Sequence, residues 1–425
     1  MNFTFKIRLS VLAVFVFLSC SGQSINVLQP AHSGADNQSE YLSLLKNKKV
    51  GILTNQTGIT TIIRKGHCPE GVNPVTTDCA RIDTVSVVDF LRFKSINLQK
   101  IFAPEHGFRG TADAGELIKD GRDTQTGLPI ISLYGNNKKP TKEQLSGIDI
   151  MLFDLQDVGA RFYTYISSLH YLMEACAENN IPLIVLDRPN PNGNIIDGPT
   201  LEPENKSFVG MHPIPVLHGM TIGEYAQMIN GEKWLAKGVQ CDLTVVPCLN
   251  YRRDMAYSLP VPPSPNLPND KAVNLYASLC FFEGTNVSVG RGTDKQFQIY
   301  GSPYLPKSEL FKNHKGGDII IESFKFIPKP NEGAKDPLYN NVECYGADLS
   351  QHPNVNRLEL KWLIDAYNQT NDKSNFFNSF FTKLAGTKKL QQQIESGLSE
   401  TEIRKTWEND LKKFREIREK YLIYD

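Results

Sequence analysis

From Lys48 onwards, short apolar runs alternate with longer segments in which apolar residues recur at helical spacing, most clearly Thr164–Glu178 and Thr221–Asn230. The apolar runs are nearly continuous, which is typical of strands buried on both faces of a sheet. Strands that alternate with helices predict an α/β fold with a mainly parallel sheet. The candidate strands are Val50–Thr54, Leu98–Ala103, Pro129–Leu133, Ile148–Leu155, Pro182–Leu186 and Asp242–Val246.

A proline-rich stretch interrupts this alternation. Leu259–Asp270, LPVPPSPNLPND, contains five prolines in twelve residues, so we expect it to be extended and to belong to neither a helix nor a central strand. We place a domain boundary here, between residues 48–262 and residues 263–425.

The second half begins with a predicted strand at Ser278–Phe282, and further strands are expected near Ile319–Phe326. The C-terminus is predicted to be helical, and Ser399 followed by Glu402 is typical of a capping box that opens the final helix. The apolar face of that helix is formed by Trp407, Leu411, Phe414 and Ile417.

The N-terminus is predicted to lie outside the fold. A basic segment precedes the apolar run Leu9–Leu18, which is too short to span a bilayer and has the layout of a signal peptide. A small residue just before Cys20 resembles a bacterial lipobox, in which the cysteine is diacylated; ordinary signal cleavage is the alternative. We therefore expect a lipoprotein signal peptide over residues 1–19 and a tether over residues 20–47. The protein would then be exported to the periplasm, with membrane contact only through its lipid anchor.

Composition narrows the possible partners. The 425 residues are 40% hydrophobic and 22% charged, as in ordinary soluble globular proteins. Lys+Arg and Asp+Glu both total 46, so no basic field attracts nucleic acid, and an anionic ligand must be recognised locally by particular arginines. The eight cysteines include no C-x-x-C pair, which disfavours thiol-based zinc or redox chemistry. Cys68 and Cys79 are the candidate disulfide pair.

Polar side chains follow four of the predicted strands. In open parallel sheets, ligands bind beyond the carboxyl ends of the strands, so these side chains predict a site at one rim of the sheet. The candidates are Asn55 after the first strand; Glu105, His106 and Arg109 after the second; Asp154, Gln156, Asp157, Arg161, Tyr163 and Tyr165 after the fourth; and Asp187, Arg188 and Asn190 after the fifth.

Glu105 carries the strongest signal at this rim, because a carboxylate directly after a buried strand is costly unless it is paired or functional. Glu116 follows in the same loop as a second candidate, with a solvated surface acid as the alternative. A lone histidine such as His106 is more often structural than catalytic, and Asp187 before Arg188-Pro189 fits a turn as well as a ligand role.

The segment FFEGTNVSVGRGT supplies Glu283, Asn286 and Arg291 from the second half. Since Glu283 follows a predicted strand as Glu105 does, we favour a cleft shared by both domains over a surface hairpin. Several familiar motifs are absent from the sequence: G-x-G-x-x-G, G-x-x-x-x-G-K-[ST], G-x-S-x-G and H-E-x-x-H.

Six motifs, in order, resemble the NamZ-type exo-β-N-acetylmuramidases of glycoside hydrolase family 171: FAPEHGFRG, GLPIISLYG, DLQDVGARFYTY, LDRPNP, PIPVLHGMTIGEYA and FFEGTNVSVGRGT. The resemblance runs from about Lys48 to the C-terminus. It implies a Rossmann-like N-terminal catalytic domain, a smaller α/β C-terminal domain and an active-site cleft between them. It also implies exo-acting release of N-acetylmuramic acid from the non-reducing ends of peptidoglycan fragments, with Glu105 as the catalytic glutamate.

This implied chemistry fits the candidate residues. Glycoside hydrolysis uses two carboxyl groups about 5–5.5 Å or about 6.5–9.5 Å apart, and we expect Glu105 and Glu116, with His106, to be catalytic. The lactyl carboxylate of muramic acid calls for one of Arg109, Arg161, Arg188 and Arg291. MurNAc–GlcNAc glycans are the expected partners, and no cofactor is expected. Two other hypotheses remain open: a metal-dependent amidase or deacetylase built on Glu105 and His106, and a non-catalytic muropeptide-binding lipoprotein.

Overall fold

The computed structural model describes residues 29–65, 80–108, 120–306 and 322–425. The predicted tether does not extend to residue 47, because Gln38–Leu45 form a helix in which Tyr41 and Leu45 are buried. The predicted signal peptide and the predictions made for five single residues lie outside the described ranges. Those residues are Cys20, Cys68, Cys79, Arg109 and Glu116.

A seven-stranded sheet lies at the centre of the N-terminal half, in the order β11-β8-β7-β1-β4-β6-β5. All neighbouring pairs are parallel except β5 and β6. The strands of the described chain, numbered in chain order, are β1 Lys49–Thr54, β2 Ile59–Lys65, β3 Ala80–Ser86, β4 Asn97–Ala103, β5 Gly121–Arg122, β6 Pro129–Ser132, β7 Ile150–Asp154, β8 Leu183–Leu186, β9 Ile196–Asp197, β10 Leu217–His218, β11 Leu243–Val246, β12 Ile299–Ser302, β13 Glu322–Phe326 and β14 Cys344–Asp348. The six predicted strands of the first half all belong to this sheet, each within two residues of its predicted bounds, and the mainly parallel α/β prediction is confirmed.

Helices flank this sheet and recur through the second half. They are α1 Gln38–Leu45, α2 Val87–Phe93, α3 Lys142–Leu145, α4 Tyr165–Glu178, α5 Ile222–Gly231, α6 Asp270–Leu279, α7 Lys361–Gln369, α8 Phe381–Ala385, α9 Lys389–Glu395, α10 Glu400–Lys405 and α11 Glu408–Arg418. The two predicted helices of the first half correspond to α4 and α5. In the second half, β12, β14 and β13 form a separate antiparallel sheet. No helix in the described ranges is long and apolar enough to cross a membrane.

The central strands are apolar on both faces because each face contacts a different core. In β7, Met151 and Phe153 belong to the larger buried apolar cluster, whereas Ile150 and Leu152 belong to a second cluster on the opposite face. Successive side chains of a strand point to opposite faces, so a strand covered on both sides must be apolar at every position. This burial is why the apolar runs located the sheet so closely.

Two predictions in the second half are wrong in part. Ser278–Phe282 is not a strand, because α6 runs to Leu279 and a 3-10 helix follows over Cys280–Gly284. A helix end that is buried on all sides gives the same short apolar run as a buried strand. The predicted C-terminal helix is two helices, α10 and α11, which are separated at Thr406 and Trp407.

Other details of the C-terminus are confirmed. The Ser399 side chain accepts a hydrogen bond from the backbone N–H of Glu402, and the Glu402 side chain accepts from the backbone N–H of Ser399. This reciprocal capping box opens α10. Trp407, Leu411 and Phe414 are buried, and Ile417 packs against the same core.

The proline-rich stretch has no helix or strand before α6 begins at Asp270, as predicted. It is nevertheless firmly attached to the rim of the sheet. Gln56 Nε2 donates to the carbonyl oxygens of Pro262 and Pro263 at 3.1 and 3.2 Å, and Tyr163 Oη donates to Pro263 O at 2.9 Å. Residues 31–425 form one compact unit, and the larger core includes residues from both sides of the stretch. The domain boundary at residues 262/263 stays a prediction.

Candidate active site

A strained turn delivers Glu105 to the rim of the sheet. Strand β4 ends at Ala103, and the backbone N–H of Gly107 donates to Pro104 O at 3.1 Å across the turn. His106 has a φ of 70° and Gly107 a φ of 77°. A non-glycine residue at positive φ is uncommon and persists where the surrounding structure holds it in place. The turn that presents Glu105 is therefore a feature of the site as much as the carboxylate is.

Two hydroxyl groups hold the Glu105 carboxylate. Tyr134 Oη donates to Oε1 at 2.9 Å, and Thr164 Oγ1 donates to Oε2 at 2.7 Å. Tyr134 lies in the loop after β6, and Thr164 precedes α4 in the loop that follows β7. Three strand ends therefore converge on one carboxylate, which is only 8% exposed.

Glu105 lines a cavity of about 440 Å³ to which both halves of the chain contribute. The volume lies in the range of small-molecule sites. From the first half come the sheet rim and the loops around Tyr134 and Phe208; from the second half come the proline-rich stretch, the 3-10 helix and the loop that carries Arg291. The predicted cleft thus brings His106, Tyr163, Tyr165, Glu283 and Arg291 together with Glu105.

Aromatic rings form much of the cavity wall. Tyr163 packs edge-on against Tyr165 and Tyr276, with ring centroids 4.8 and 5.9 Å apart, and Phe162 packs edge-on against Tyr276 at 5.4 Å. Burial raises the pKa of Tyr163 and of Tyr165, so both remain protonated phenols. Asn55 donates from Nδ2 to Tyr165 Oη at 2.6 Å. Asn55 is not among the cavity-lining residues and acts on the site through Tyr165.

The part of the cavity wall that the second half contributes carries an ion pair. Arg291 donates to Glu283 Oε1 at 2.9 Å, and both side chains are about a quarter exposed (22% and 25%). Cys280 Sγ donates to Glu283 Oε2 at 3.6 Å. Burial, followed by the negative charge of Glu283, raises the pKa of the Cys280 thiol well above its ordinary value. Glu283 reaches the cavity from a 3-10 helix and not, as predicted, from the end of a strand.

Arg161 is predicted as a substrate ligand, but the structure does not bring it to the cavity. It is completely buried and donates to four carbonyl oxygens at 2.7–2.8 Å. These acceptors are Pro199 and Ile214 in the first half and Leu384 and Ala385 in the second. Burial lowers the pKa of Arg161 to about 9. Its guanidinium ties the two halves of the chain together.

Arg188 and Asp154 also lie away from the cavity, in a buried ion pair with Arg188 Nε 2.6 Å from Asp154 Oδ1. Burial opposes the charge of Arg188, but the Asp154 carboxylate outweighs it, and the pKa of Arg188 lies above its ordinary value. Asp187 caps the start of α5, accepting from Thr221 Oγ1 and Gly223 N at 2.7 Å each. Burial raises the pKa of Asp187 to about 6.

Four further candidates are also absent from the cavity lining. Gln156 Nε2 donates to the backbone of Asp157 and Pro189, and Asp157 Oδ2 accepts from the backbone N–H of Gly159. Asn190 Nδ2 donates to Met220 O. These three residues fix the loops behind the rim. Asn286 has buried amide atoms with no hydrogen-bond partner among the described residues, and we have no physical account of them.

Sequence reasoning missed several cavity residues: Tyr134, Lys138, Thr164, Phe208, Ser264 and Asn266. Tyr134 lies in GLPIISLYG directly after a predicted strand, so the rule that singled out Glu105 applies to it as well. Ser264 and Asn266 lie in the proline-rich stretch, which was interpreted only as a boundary. Within the described residues, no group of three or more His, Cys, Asp or Glu side chains is arranged to hold a metal ion.

Comparisons with known proteins agree with this architecture. Residues 50–271 match the N-terminal and residues 274–424 the C-terminal model of the exo-beta-N-acetylmuramidase NamZ family. The chain is 40% identical over 397 residues to the peptidoglycan beta-N-acetylmuramidase NamZ of Bacillus subtilis (strain 168), covering 91% of this chain and 89% of that protein. Crystal structures of two DUF1343 family proteins from Bacteroides fragilis NCTC 9343 are similar, with TM-scores of 0.77 and 0.75 at 40% and 28% identity. Each match covers 93% of this chain and 99% of the chain in the crystal structure.

Proposed function

The chain belongs to the exo-beta-N-acetylmuramidase NamZ family, and on this basis we propose that it is an exo-acting glycoside hydrolase of the bacterial cell wall. It releases N-acetylmuramic acid from the non-reducing ends of peptidoglycan fragments. The relative from Bacillus subtilis, itself named a peptidoglycan beta-N-acetylmuramidase, supports this substrate class.

The observation that carries the proposal is the placement of Glu105. Its carboxylate lies in the shared cavity and accepts hydrogen bonds from Tyr134 and Thr164. A hydroxyl group can donate to a carboxylate and can also accept from a carboxylic acid. Both neighbours can therefore keep a hydrogen bond to Glu105 while it gives or takes a proton. We assign Glu105 as the catalytic acid or base that acts on the glycosidic bond.

The remainder of the cavity suits a terminal sugar. Tyr163, Tyr165 and Tyr276 offer apolar ring surface to a pyranose face, and the Glu283–Arg291 pair of the second half offers polar contacts. His106 follows Glu105 in the same turn and lines the cavity with it. We assign the three tyrosines, Glu283 and Arg291 to substrate binding, and the catalytic role of His106 stays a prediction.

Product analysis tests this function. The protein is incubated with a MurNAc–GlcNAc disaccharide and with an aryl β-glycoside of MurNAc, and free MurNAc is followed by chromatography and its anomers by NMR. We expect MurNAc release from both substrates, undiminished by a chelator. Saturable binding without sugar release would contradict the proposal and favour a muropeptide-binding protein. Loss of activity with the chelator would favour a metal-dependent enzyme.

We further propose that the protein is exported and anchored by a lipid on Cys20 in the periplasm, where peptidoglycan fragments occur. The support is the order of a basic segment, an apolar run and a small residue before this cysteine. Cys20→Ala is expected to move the protein from the membrane fraction to the soluble fraction. A mature wild-type N-terminus that carries no lipid by mass spectrometry would contradict the anchor.

A further inference from the structure

Among the described residues of the cavity wall, one cation has no carboxylate partner. Among the described residues that line the cavity, the carboxylates are Glu105 and Glu283, and the permanent cations are Lys138 and Arg291. Arg291 is paired with Glu283. Lys138 makes no hydrogen bond or ion pair within the described structure, and its Nζ lies 4.6 Å from the centroid of the Phe208 ring.

The fold holds Lys138 in place from both sides. In the same loop, the Tyr134 hydroxyl donates a hydrogen bond to Glu105, and Asn137 Nδ2 donates to Ser132 O at 2.7 Å. On the other side, Lys139 forms ion pairs with Glu174 and Glu178 of α4, each at 2.7 Å. A cation held in this way is positioned before any ligand arrives, and the ordering cost on binding is small.

We propose that Lys138 binds the lactyl carboxylate of N-acetylmuramic acid and so selects this sugar over N-acetylglucosamine; this rests on the proposed function. The two sugars differ by the lactyl ether, which carries one negative charge at neutral pH. A cation that is half-buried on an aromatic face and has no carboxylate partner among the described residues is suited to donate a charged hydrogen bond to such a ligand.

The arginines predicted for this recognition support the assignment by their positions. Arg161 donates hydrogen bonds to four carbonyl oxygens, and Arg188 forms an ion pair with Asp154. Neither arginine reaches the cavity. Arg291 lines the cavity, but its guanidinium already pairs with Glu283. Arg109 lies outside the described residues. The lactyl carboxylate predicts an arginine ligand, so the sequence alone does not single out Lys138.

The test compares two aryl β-MurNAc substrates, one with a free lactyl carboxylate and one with its methyl ester. Lys138→Met keeps the unbranched stem and removes the charge. We expect KM for the free acid to rise about 10–100-fold, as a lost hydrogen bond to a charged group predicts, with kcat within a few-fold and KM for the ester unchanged. Lys138→Arg should retain the preference for the acid. Lys142→Met removes a charge from an exposed lysine at the start of α3 and is the matched control.

An unchanged ratio of KM values for acid and ester in Lys138→Met would overturn the proposal. Equal losses on both substrates would also overturn it, because they would indicate that Lys138 only positions its loop. If the wild-type protein releases no MurNAc, the proposed function fails instead. Calorimetric binding of free MurNAc and GlcNAc to the wild type and to Lys138→Met then decides the lysine's role, with a selective loss of MurNAc binding expected.

Discussion

Two carboxylates line the same cavity from the two halves of the chain, and different partners hold them. Glu105, on the sheet rim, accepts from the hydroxyl groups of Tyr134 and Thr164. Glu283, on the 3-10 helix of the second half, accepts from the guanidinium of Arg291 and the thiol of Cys280. Both acids line the same cavity, and their described hydrogen-bond donors differ in type.

The donors differ in what they can do during proton transfer. A hydroxyl group donates or accepts, so Tyr134 and Thr164 can serve Glu105 in either protonation state. A guanidinium only donates hydrogen bonds, so Arg291 stabilises Glu283 best when Glu283 is an ionised carboxylate. We infer a division of labour in which Glu105, on the sheet rim, transfers the proton and the Glu283–Arg291 pair of the second half supplies polar contacts to the substrate.

The largest expected effect comes from Glu105→Gln, which keeps the shape of the side chain and removes its ionisable group. If Glu105 transfers a proton in the reaction, kcat should fall by about 10²–10⁴-fold. Binding of a MurNAc-containing disaccharide, measured by calorimetry, should be largely retained. A variant with unchanged kcat would remove Glu105 from the mechanism and end the comparison.

Glu283→Gln should cost much less, about tenfold and mainly in KM. The amide oxygen can still accept one hydrogen bond from Arg291, but the guanidinium loses its charged partner in a site that is only a quarter exposed. A tenfold change corresponds to about 1.4 kcal/mol, a plausible value for a partly exposed pair. Steady-state kinetics on the aryl MurNAc glycoside separates kcat from KM. A loss in kcat as large as that of Glu105→Gln would make Glu283 the second carboxyl group of the reaction.

Thr164→Val tests the hydroxyl donors themselves. The change removes one hydrogen bond to Glu105 and nearly preserves side-chain volume. Thr164 makes no side-chain capping bond to α4, so the helix start should be unaffected. We expect kcat to fall about 3–10-fold, because one of the two hydroxyl donors to Glu105 is lost and the other remains, with KM unchanged. Tyr134→Phe should behave in the same way, and an intact kcat in both variants would show that the hydroxyls are dispensable.

The sequence predicted the sheet that supports this site better than it predicted which side chains line the cavity. Buried strands must be apolar at every position, so the apolar runs located the central sheet. The carboxyl ends of parallel strands meet at one edge, so the position of Glu105 could be anticipated. Arg161 and Arg188 follow strands in the same way as Glu105. Whether an arginine points into a cavity or toward backbone carbonyls is decided by tertiary packing, which a single sequence does not display.

The residues that the second half contributes to the cavity also show what a single sequence cannot predict. Composition correctly predicted that the proline-rich stretch is neither helix nor strand. It could not reveal that the carbonyl oxygens of Pro262 and Pro263 accept hydrogen bonds from Gln56 and Tyr163 and so bring Asn266 to the cavity. Glu283 was placed in the cleft for a wrong reason, since it follows a helix and not a strand. Glu283 and Glu105 line the same cavity because of contacts between parts of the chain that are distant in sequence.

The smallest effect is expected from Cys280→Ala, which removes the weaker donor to Glu283. A thiol is a poor hydrogen-bond donor, and its 3.6 Å contact adds little to a carboxylate that Arg291 already holds. Activity should stay within about threefold of the wild type. Because burial and the charge of Glu283 raise the pKa of Cys280, the thiol stays protonated at neutral pH and should react slowly with iodoacetamide. Mass spectrometry of the alkylated protein at pH 7 measures that rate. Rapid alkylation with loss of activity would mean that this wall carries a reactive nucleophile, and the division of labour between the two walls would have to be abandoned.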